Sequence, residues 1–534
     1  MTDATFDVIV VGAGFAGLYA VHRALGAGLS VLGIEAAPGV GGTWYWNRYP
    51  GARCDVESVD YSYSFDDELQ QDWTWTERFA GQPEILAYLD HVADRFDIRR
   101  HYQFDTQVTA AAFDRRGGRW RLQTSTGTAP EGRFLVCATG CLSAVNRPNI
   151  DGLDAFAGEI YYTAAWPHRD PDLRGKRVGL VGTGSSGIQV VPLIAEQAES
   201  LVVFQRSANY SVPMPNRSLS ADEQRRIRDR YPERRRKSAY ASAGTPHDTY
   251  PTKAVDTDPD ERREALWKRW SEGGVLFAKT FPDQNSDMAA NDIAREFAEE
   301  RIRDVVTDSV VAQDLTPVDH PIGTKRICTD MGYYQAFNRD NVRLVNLRRE
   351  PIETITETGV RTIAGLYPCD ALIFATGFDA MTGALTRIDP VGPSGERLSQ
   401  AWSDGPVTFL GLMVPRLPNL FTISGPGSPS VLANMVLHAE VQVDWTFDLI
   451  TAACARGVTE VEPRRDAARA WTDHVAEAVE ATLFGRAQSS WYLGANIEGK
   501  KRVFMPYAAG FGNYRRHCDS VAEQDYAGLV FTTR

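Results

Sequence analysis

The sequence has only seven cysteines in 534 residues, and none form a CxxC pair. That argues against a dithiol redox centre. The cysteines, Cys137 and Cys141 included, read as reduced thiols of a cytoplasmic protein. No apolar run approaches the about 18 residues that a membrane span needs. The opening stretch "MTDATFDVIVVG" lacks a basic segment followed by an apolar one, so no secretory signal is expected. An excess of positive charge is also missing. Lys and Arg number 57 against 69 Asp and Glu, a formal net charge of -12. Non-specific binding to nucleic acid or to an anionic membrane is therefore not expected. One basic run, "RRIRDRYPERRRK" at 225–237, breaks this trend. Asp229 and Glu233 are interleaved in it, and it reads as a solvated helical face.

What is present is ordinary for a globular chain long enough for two or three domains. The first stretch reads β-α-β: "FDVIVVG" is near-continuously apolar, "FAGLYAVHRALGAG" has helical spacing, and "LSVLGIEAA" is a second strand. Residues 101–140 read as antiparallel strands with turns at Gly117-Gly118 and Gly127. A second β-α-β opens at "KRVGLVGTGSSG" and closes at "LVVFQRS". Residues 209–320 are polar and mostly helical. "DALIFATGF" at 370–378 repeats the pattern of "FLVCATG". The expected class is α/β, with two similar nucleotide-binding halves. Between them the stretch 156–167, "FAGEIYYTAAWP", looks too irregular for a strand.

Each half carries GxGxxG between a strand and a helix, the context that gives this otherwise weak motif meaning. Gly12, Gly14 and Gly17 fit one site, and Gly182, Gly184 and Gly187 the other. In each, the first glycine permits the turn, the second the approach of pyrophosphate, and the third the packing of helix on strand. Glu35 closes the second strand of the first unit. A carboxylate there accepts from ribose hydroxyls and repels a 2′-phosphate, so this site suits FAD or NAD. Arg206 holds the equivalent place in the second unit. A guanidinium there pairs with a 2′-phosphate, so the second site suits NADPH.

With these motifs the chain resembles a type I Baeyer–Villiger monooxygenase, a class B flavoprotein monooxygenase, over nearly its whole length. The signature F-x-G-x-x-x-H-x-x-x-W-P is matched by Phe156, Gly158, Trp166 and Pro167, with Tyr162 in the His position. "GGTWYWNRYPGARCD" matches a second signature at Gly41, Gly42, Trp44, Tyr49, Pro50, Gly51 and Asp55. Lys325-Arg326 ahead of Tyr333-Tyr334 and "NRDNV" matches a third. "GPGSPSVLANM" and "SSWYLGAN" look most like the phenylacetone and steroid monooxygenase branch.

The resemblance implies FAD and NADP(H) as cofactors. A ketone would become an ester or lactone with O2, by way of a peroxide held on the flavin. It implies a FAD domain over 1–145 and 380–534, an NADP domain over 146–208 and 325–379, and a helical insertion over 209–324. Arg326 is implied as the catalytic cation, since a guanidinium cannot quench an anion by giving up its proton. Asp55 is implied to orient it. The FAD residues implied are Phe15, Thr43, Trp44, Tyr45, Trp46, Cys54, Tyr61, Val108 and Met435. The NADP residues are Arg53, Thr183, Gly184, Ser185, Ser186, Gly187, Ile188, Gln189, Arg206, Ser207, Lys325 and Trp491. For Met435 and Trp491 core packing is an equal reading. The stretch 156–167 resembles the linker that reports the position of one domain to the other, where Tyr162 would hydrogen-bond and pack in place of His. The rival readings are a flavin-containing N- or S-oxygenase, a disulfide reductase, which the lack of CxxC disfavours, and a non-catalytic nucleotide sensor.

Overall fold

Apolar strands buried on both faces build two central sheets. The computed structural model describes residues 5–533. The first four residues of the stretch read for a secretory signal lie outside that range, as does residue 534 of the expected FAD domain. The first sheet comprises β1 (Thr5–Val11), β2 (Val31–Ile34), β3 (Tyr102–Gln103), β4 (Val108–Asp114), β5 (Arg119–Thr124) and β6 (Glu131–Cys137). Its order is β3-β2-β1-β6-β5-β4, with the strand Leu420–Thr422 added on β6. β1 is parallel to β2 and β6, with Val8 opposite both Val31 and Phe134. Val8, Ile9 and Val10 are fully buried, as a strand covered on both faces requires.

β4, β5 and β6 are antiparallel, as expected. Tyr102–Gln103 is a correction: it pairs in parallel with β2. Asp105, at φ 51, turns the chain between β3 and β4 and splits what reads as one stretch.

The second sheet uses β7 (Glu159–Tyr162), β8 (Arg177–Val181) and β9 (Ser200–Gln205). Its order is Val342–Asn346, β9, β8, Ala371–Phe374, β7, and every pair is parallel. Ala371–Phe374 lies beside β8 as β6 lies beside β1, so the two similar "ATG" stretches occupy equivalent positions.

β7 corrects the reading of 156–167 as too irregular for a strand. It is a short edge strand, with Tyr162 opposite Phe374. It ends in the single turn Thr163–Ala165, and an edge strand tolerates such an ending because only one side is paired. Phe156 packs in the cluster of Phe204, Val345 and Phe374. Trp166 packs in a different cluster, with Tyr49, Leu180 and Ile188. The segment is therefore anchored to two separate apolar cores.

Between the sheets' strands the chain is helical over Ala221–Ser238, Pro259–Glu272, Met288–Val305 and Ser309–Leu315. The first of these opens with a capping box between Ser220 and Glu223, which satisfies amide donors that the helix leaves free. It contains the basic run, and here the expectation of a solvated face is half wrong. Helical spacing places Tyr231, Arg234, Arg235 and Ser238 on one face, and that face docks on the segment 57–70. Arg234 donates to Asp60 at 2.6 and 2.7 Å and to Glu57 at 2.6 Å. Arg235 donates to Ser62 at 2.8 Å and Gln70 at 3.0 Å. Burial raises the Glu57 carboxyl, but Arg234 and Arg78 outweigh it and hold it below its usual range.

The side chain of Asp60 is only 2% exposed, so removing its cation leaves a buried charge. Arg234→Met is expected to destabilise the protein by about 3–5 kcal/mol. Arg236→Met, on the exposed face, should change stability by less than about 0.5 kcal/mol. Urea denaturation of both variants checks this; equal midpoints would refute the docking role. Among the described residues no helix is long and apolar enough to cross a membrane.

Candidate active site

Both glycine-rich turns end in helices whose first amides are free to bind anions. Helix Phe15–Gly26 follows Gly14 and helix Ser185–Gln197 follows Gly184; neither has a side-chain cap. Such an N-terminus directs unsatisfied N–H groups and positive dipole toward a phosphate. Gly12 and Gly182 sit at φ 108 and 110, and Gly17 and Gly187 pack so tightly that a Cβ would lie 1.8 and 2.2 Å from a backbone oxygen. At Gly184 a Cβ would meet nothing within 4 Å, which leaves room for a ligand. Glu35, buried at the end of β2, accepts from the amides of Ala13 at 2.7 Å and Ala37 at 2.8 Å. Burial raises its pKa and these two bonds oppose the rise. Each carboxylate oxygen keeps a second lone pair for a ribose hydroxyl. The residues fit FAD at the first turn.

Phe15 stacks edge-on against Tyr61 and Tyr63, each at 5.2 Å. Trp44 Nε1 donates to the Tyr61 hydroxyl at 3.2 Å. Thr43 and Trp46 are exposed, Tyr45 is half-buried, and Cys54 and Val108 are buried in apolar clusters. The signature loop then reaches the second unit: Tyr49 donates to Gln189 Oε1 at 2.8 Å, and Gln189 Nε2 donates to the Arg53 carbonyl at 3.1 Å. Arg53's own guanidinium is taken by Glu77 and the Phe79 carbonyl.

Arg326 and Asp55, far apart in sequence, form a forked pair. Nε donates to Oδ2 at 2.7 Å and Nη2 to Oδ1 at 2.6 Å, and Nη1 donates to the Val431 carbonyl at 2.5 Å. Two parallel bonds fix the plane of the guanidinium as well as its position. Burial works against the charge, but the Asp55 carboxylate outweighs it and holds Arg326 above the ordinary arginine range. Both line a cavity of about 690 Å³ together with Val431, Leu432 and Gly274. Two neighbours escape sequence reasoning. Burial pushes the Tyr492 hydroxyl, beside Arg326, up to about 12. Burial, with Arg326 nearby, pulls the Lys279 ammonium down to about 8. Met435 and Trp491 pack around Val431 and Tyr492, so their packing role is visible.

The second nucleotide site has a cationic end. Thr183 donates to the Ser207 carbonyl at 2.8 Å, holding the start of the glycine turn to the end of β9. Ser185 and Ser186 contact Cys328 and Thr163, at 3.4 and 3.2 Å, while Ile188 is buried in the core. Arg206 is exposed. Ser207 Oγ donates to Asp319 at 3.0 Å, Arg348 donates to the same carboxylate at 2.6 Å, and Lys325 Nζ lies 3.7 Å from it. His320 Nδ1 is 2.6 Å from its other oxygen. Burial would raise Asp319, but His320, Lys325 and Ser207 hold it well below the usual carboxylate range. Burial holds Lys325 down; Asp319 opposes this, while Arg206 and Arg348 reinforce it. Arg348 and Lys325 face one carboxylate, and Arg206 is near enough to act on Lys325, a surplus of positive charge that fits a phosphate. Arg348 and Asp319 carry no motif in the sequence; only the fold brings them to Arg206.

Residues 6–216 match the family described as flavin-binding monooxygenase-like. The chain is 42% identical to a Baeyer–Villiger monooxygenase of Pseudooceanicola batsensis, over 99% of this chain and 96% of the relative. It is 40% identical to a cyclohexanone 1,2-monooxygenase of Acinetobacter sp., over 98% and 96%. The chain belongs to the Baeyer–Villiger monooxygenase family. A solved steroid monooxygenase bound to NADP superposes with a TM-score of 0.95 at 54% identity, covering 99% of this chain and 100% of that one.

In this Baeyer–Villiger monooxygenase Tyr162 works as a flat ring. It stacks on Phe374 at 5.5 Å, and the Arg147 guanidinium lies 5.5 Å from its centre. An imidazole keeps the flat ring. Tyr162→His is therefore expected to change turnover by less than about threefold, within the roughly 0.5–1.5 kcal/mol that such ring pairs contribute. The ratio of ketone oxidised to NADPH consumed should stay the same. A parent protein that releases mostly hydrogen peroxide, and is rescued by Tyr162→His, would overturn this.

Proposed function

We propose that this chain converts ketones to esters or lactones, consuming NADPH and O2 with FAD bound at the first glycine turn. The observation that carries the reading is the forked Arg326–Asp55 pair in the wall of a 690 Å³ cavity. FAD and NADPH, when bound, supply oxygen activation and hydride. The chain's residues supply the rest. Arg326 presents fixed positive charge to the oxygen atoms that become negative during ketone oxygenation, and its raised pKa keeps it from giving up a proton to them. Asp55 keeps the guanidinium oriented and the local charge balanced. Glu35 would accept from the FAD ribose, and Arg206, Ser207 and Lys325 would hold the 2′-phosphate of NADPH, with Arg348 added by the geometry. The Tyr49–Gln189–Arg53 bonds and the segment 156–167 would link the FAD and NADP domains, over the ranges given from the sequence. A cavity of this size accepts drug-sized ligands, which supports a bulky aryl, aliphatic or cyclic ketone. The unpaired cysteines support a cytoplasmic setting.

NADPH oxidation with and without a panel of ketones tests this, with products identified by mass spectrometry. Ketone-dependent NADPH loss with a product one oxygen heavier is the expected result. Loss of NADPH with no oxygenated product from any ketone would sink the proposal.

A further inference from the structure

The chain passes between the two central sheets twice. It leaves the first after β6, at Cys137, and enters the second at Glu159; it leaves the second after Phe374 and rejoins the first at Leu420. The two crossings touch. Val145 and Phe378 form an antiparallel bridge, the Asn146 amide donates to the Gly377 carbonyl at 3.0 Å, and the Asp379 amide donates to the Ala144 carbonyl at 2.8 Å. Beside this contact lies a hollow of about 520 Å³, which shares no residue with the cavity at Arg326. Val145, Asn146 and Arg147 line it from the first crossing, Asp379 and Arg387 from the second, and Ile497 from the C-terminal region.

The charges of this hollow do not balance. Its one carboxylate, Asp379, is paired with Lys500. Arg147 and Arg387 are exposed, and neither has a carboxylate partner among the described residues. Each is held by something else: Arg387 Nη2 donates to the Val145 carbonyl at 3.1 Å, and the Arg147 guanidinium lies 5.5 Å from the centre of the Tyr162 ring. Asn146 Nδ2 is occupied by the carbonyls of Thr376 and Asn496, each at 3.4 Å. The hollow therefore carries two uncompensated positive charges on a chain whose formal net charge is -12. A guanidinium keeps its charge and has five N–H donors, and the bond to Val145 uses only one of the two sets. Two such groups on one hollow repel each other. An oxyanion between them replaces that repulsion with charge-assisted, forked contacts.

We propose that Arg147 and Arg387 form an oxyanion site where the chain crosses between the sheets, for the phosphate or carboxylate of a small polyvalent anion. It is distinct from the second nucleotide site, whose cations are Arg206, Lys325 and Arg348. Each crossing supplies one guanidinium, so a bound anion bridges the two. Through Arg147 the bridge reaches Tyr162 and the segment 156–167.

The test is calorimetric titration of the FAD-loaded protein, saturated with NADP+ and held at fixed ionic strength, with pyrophosphate and with succinate. Saturation with NADP+ keeps the second nucleotide site out of the measurement. At least one probe should bind at a single site with a Kd of about a millimolar or tighter, the range that two charge-assisted pairs reach. Arg147→Gln and Arg387→Gln should each weaken that binding about tenfold or more. Arg147→Lys should weaken it less than Arg147→Gln, because the charge stays while the fork is lost. Both side chains are exposed, so these substitutions leave the fold intact. Binding of pyrophosphate alone assigns the site to phosphates, and binding of succinate alone assigns it to carboxylates. Binding of neither probe overturns the inference, as does binding that both glutamine variants retain.

Discussion

Arg326→Ala is expected to abolish ester or lactone formation while FAD stays bound. The two properties separate because the first glycine turn and Glu35 hold their own set of contacts, and none of them includes Arg326. Removing a preorganised donor at a site of developing charge costs about a hundred- to a thousandfold in turnover. The loss here should reach at least that, since a full charge goes with the donors. Arg326→Lys is not a rescue: an ammonium is a point charge, and it cannot reproduce the two parallel bonds to Asp55 or the bond to the Val431 carbonyl. Asp55→Asn keeps the shape and removes the charge, so it should reduce turnover less than Arg326→Ala does. Product yield, NADPH consumption and released peroxide are measured together, with flavin absorbance as the control for FAD. A normal product yield from Arg326→Ala would remove Arg326 from the mechanism.

The parts of this molecule that follow local rules are legible in its sequence. A strand, a glycine turn and a helix N-terminus are adjacent in the chain, so both nucleotide units can be read from "VGAGFAG" and "VGTGSSG". The edge strand β7 is not legible in that way. Glu159–Tyr162 is four residues long, and its partner Ala371–Phe374 is remote in sequence, so no local pattern announces the pairing. The basic run misleads for a related reason. Its charges look solvated until the fold brings Asp60 and Glu57 against one face of the helix. Arg326 and Asp55 are placed through the family resemblance, not through spacing. Arg348 and Asp319 lie outside any motif, and their chemistry exists only where separate loops converge.

The cationic end of the second site gives the other large effect. Arg206→Ala should weaken NADP+ binding by about 1.5–3 kcal/mol, roughly ten- to a hundredfold, the range for a hydrogen bond to a charged group. NAD+ binding should be unchanged, because it has no 2′-phosphate to lose. Arg206 is a clean site for this test: it is exposed, and no ion pair among the described residues depends on its side chain. Arg348→Ala should act in the same direction. It takes one cation from the cluster but leaves Asp319 held by His320, Ser207 and Lys325, so the carboxylate is not stranded. The double variant should lose most of the preference for NADPH over NADH. The preference of the parent protein should also fall as salt is raised, since an exposed guanidinium is screened over a Debye length of about 8 Å at physiological ionic strength. Calorimetric titration of NADP+ and NAD+ into the FAD-loaded protein, at two salt concentrations, checks all of this. A parent protein that binds the two nucleotides equally, or an Arg206→Ala variant that weakens both alike, would show that the 2′-phosphate is held elsewhere.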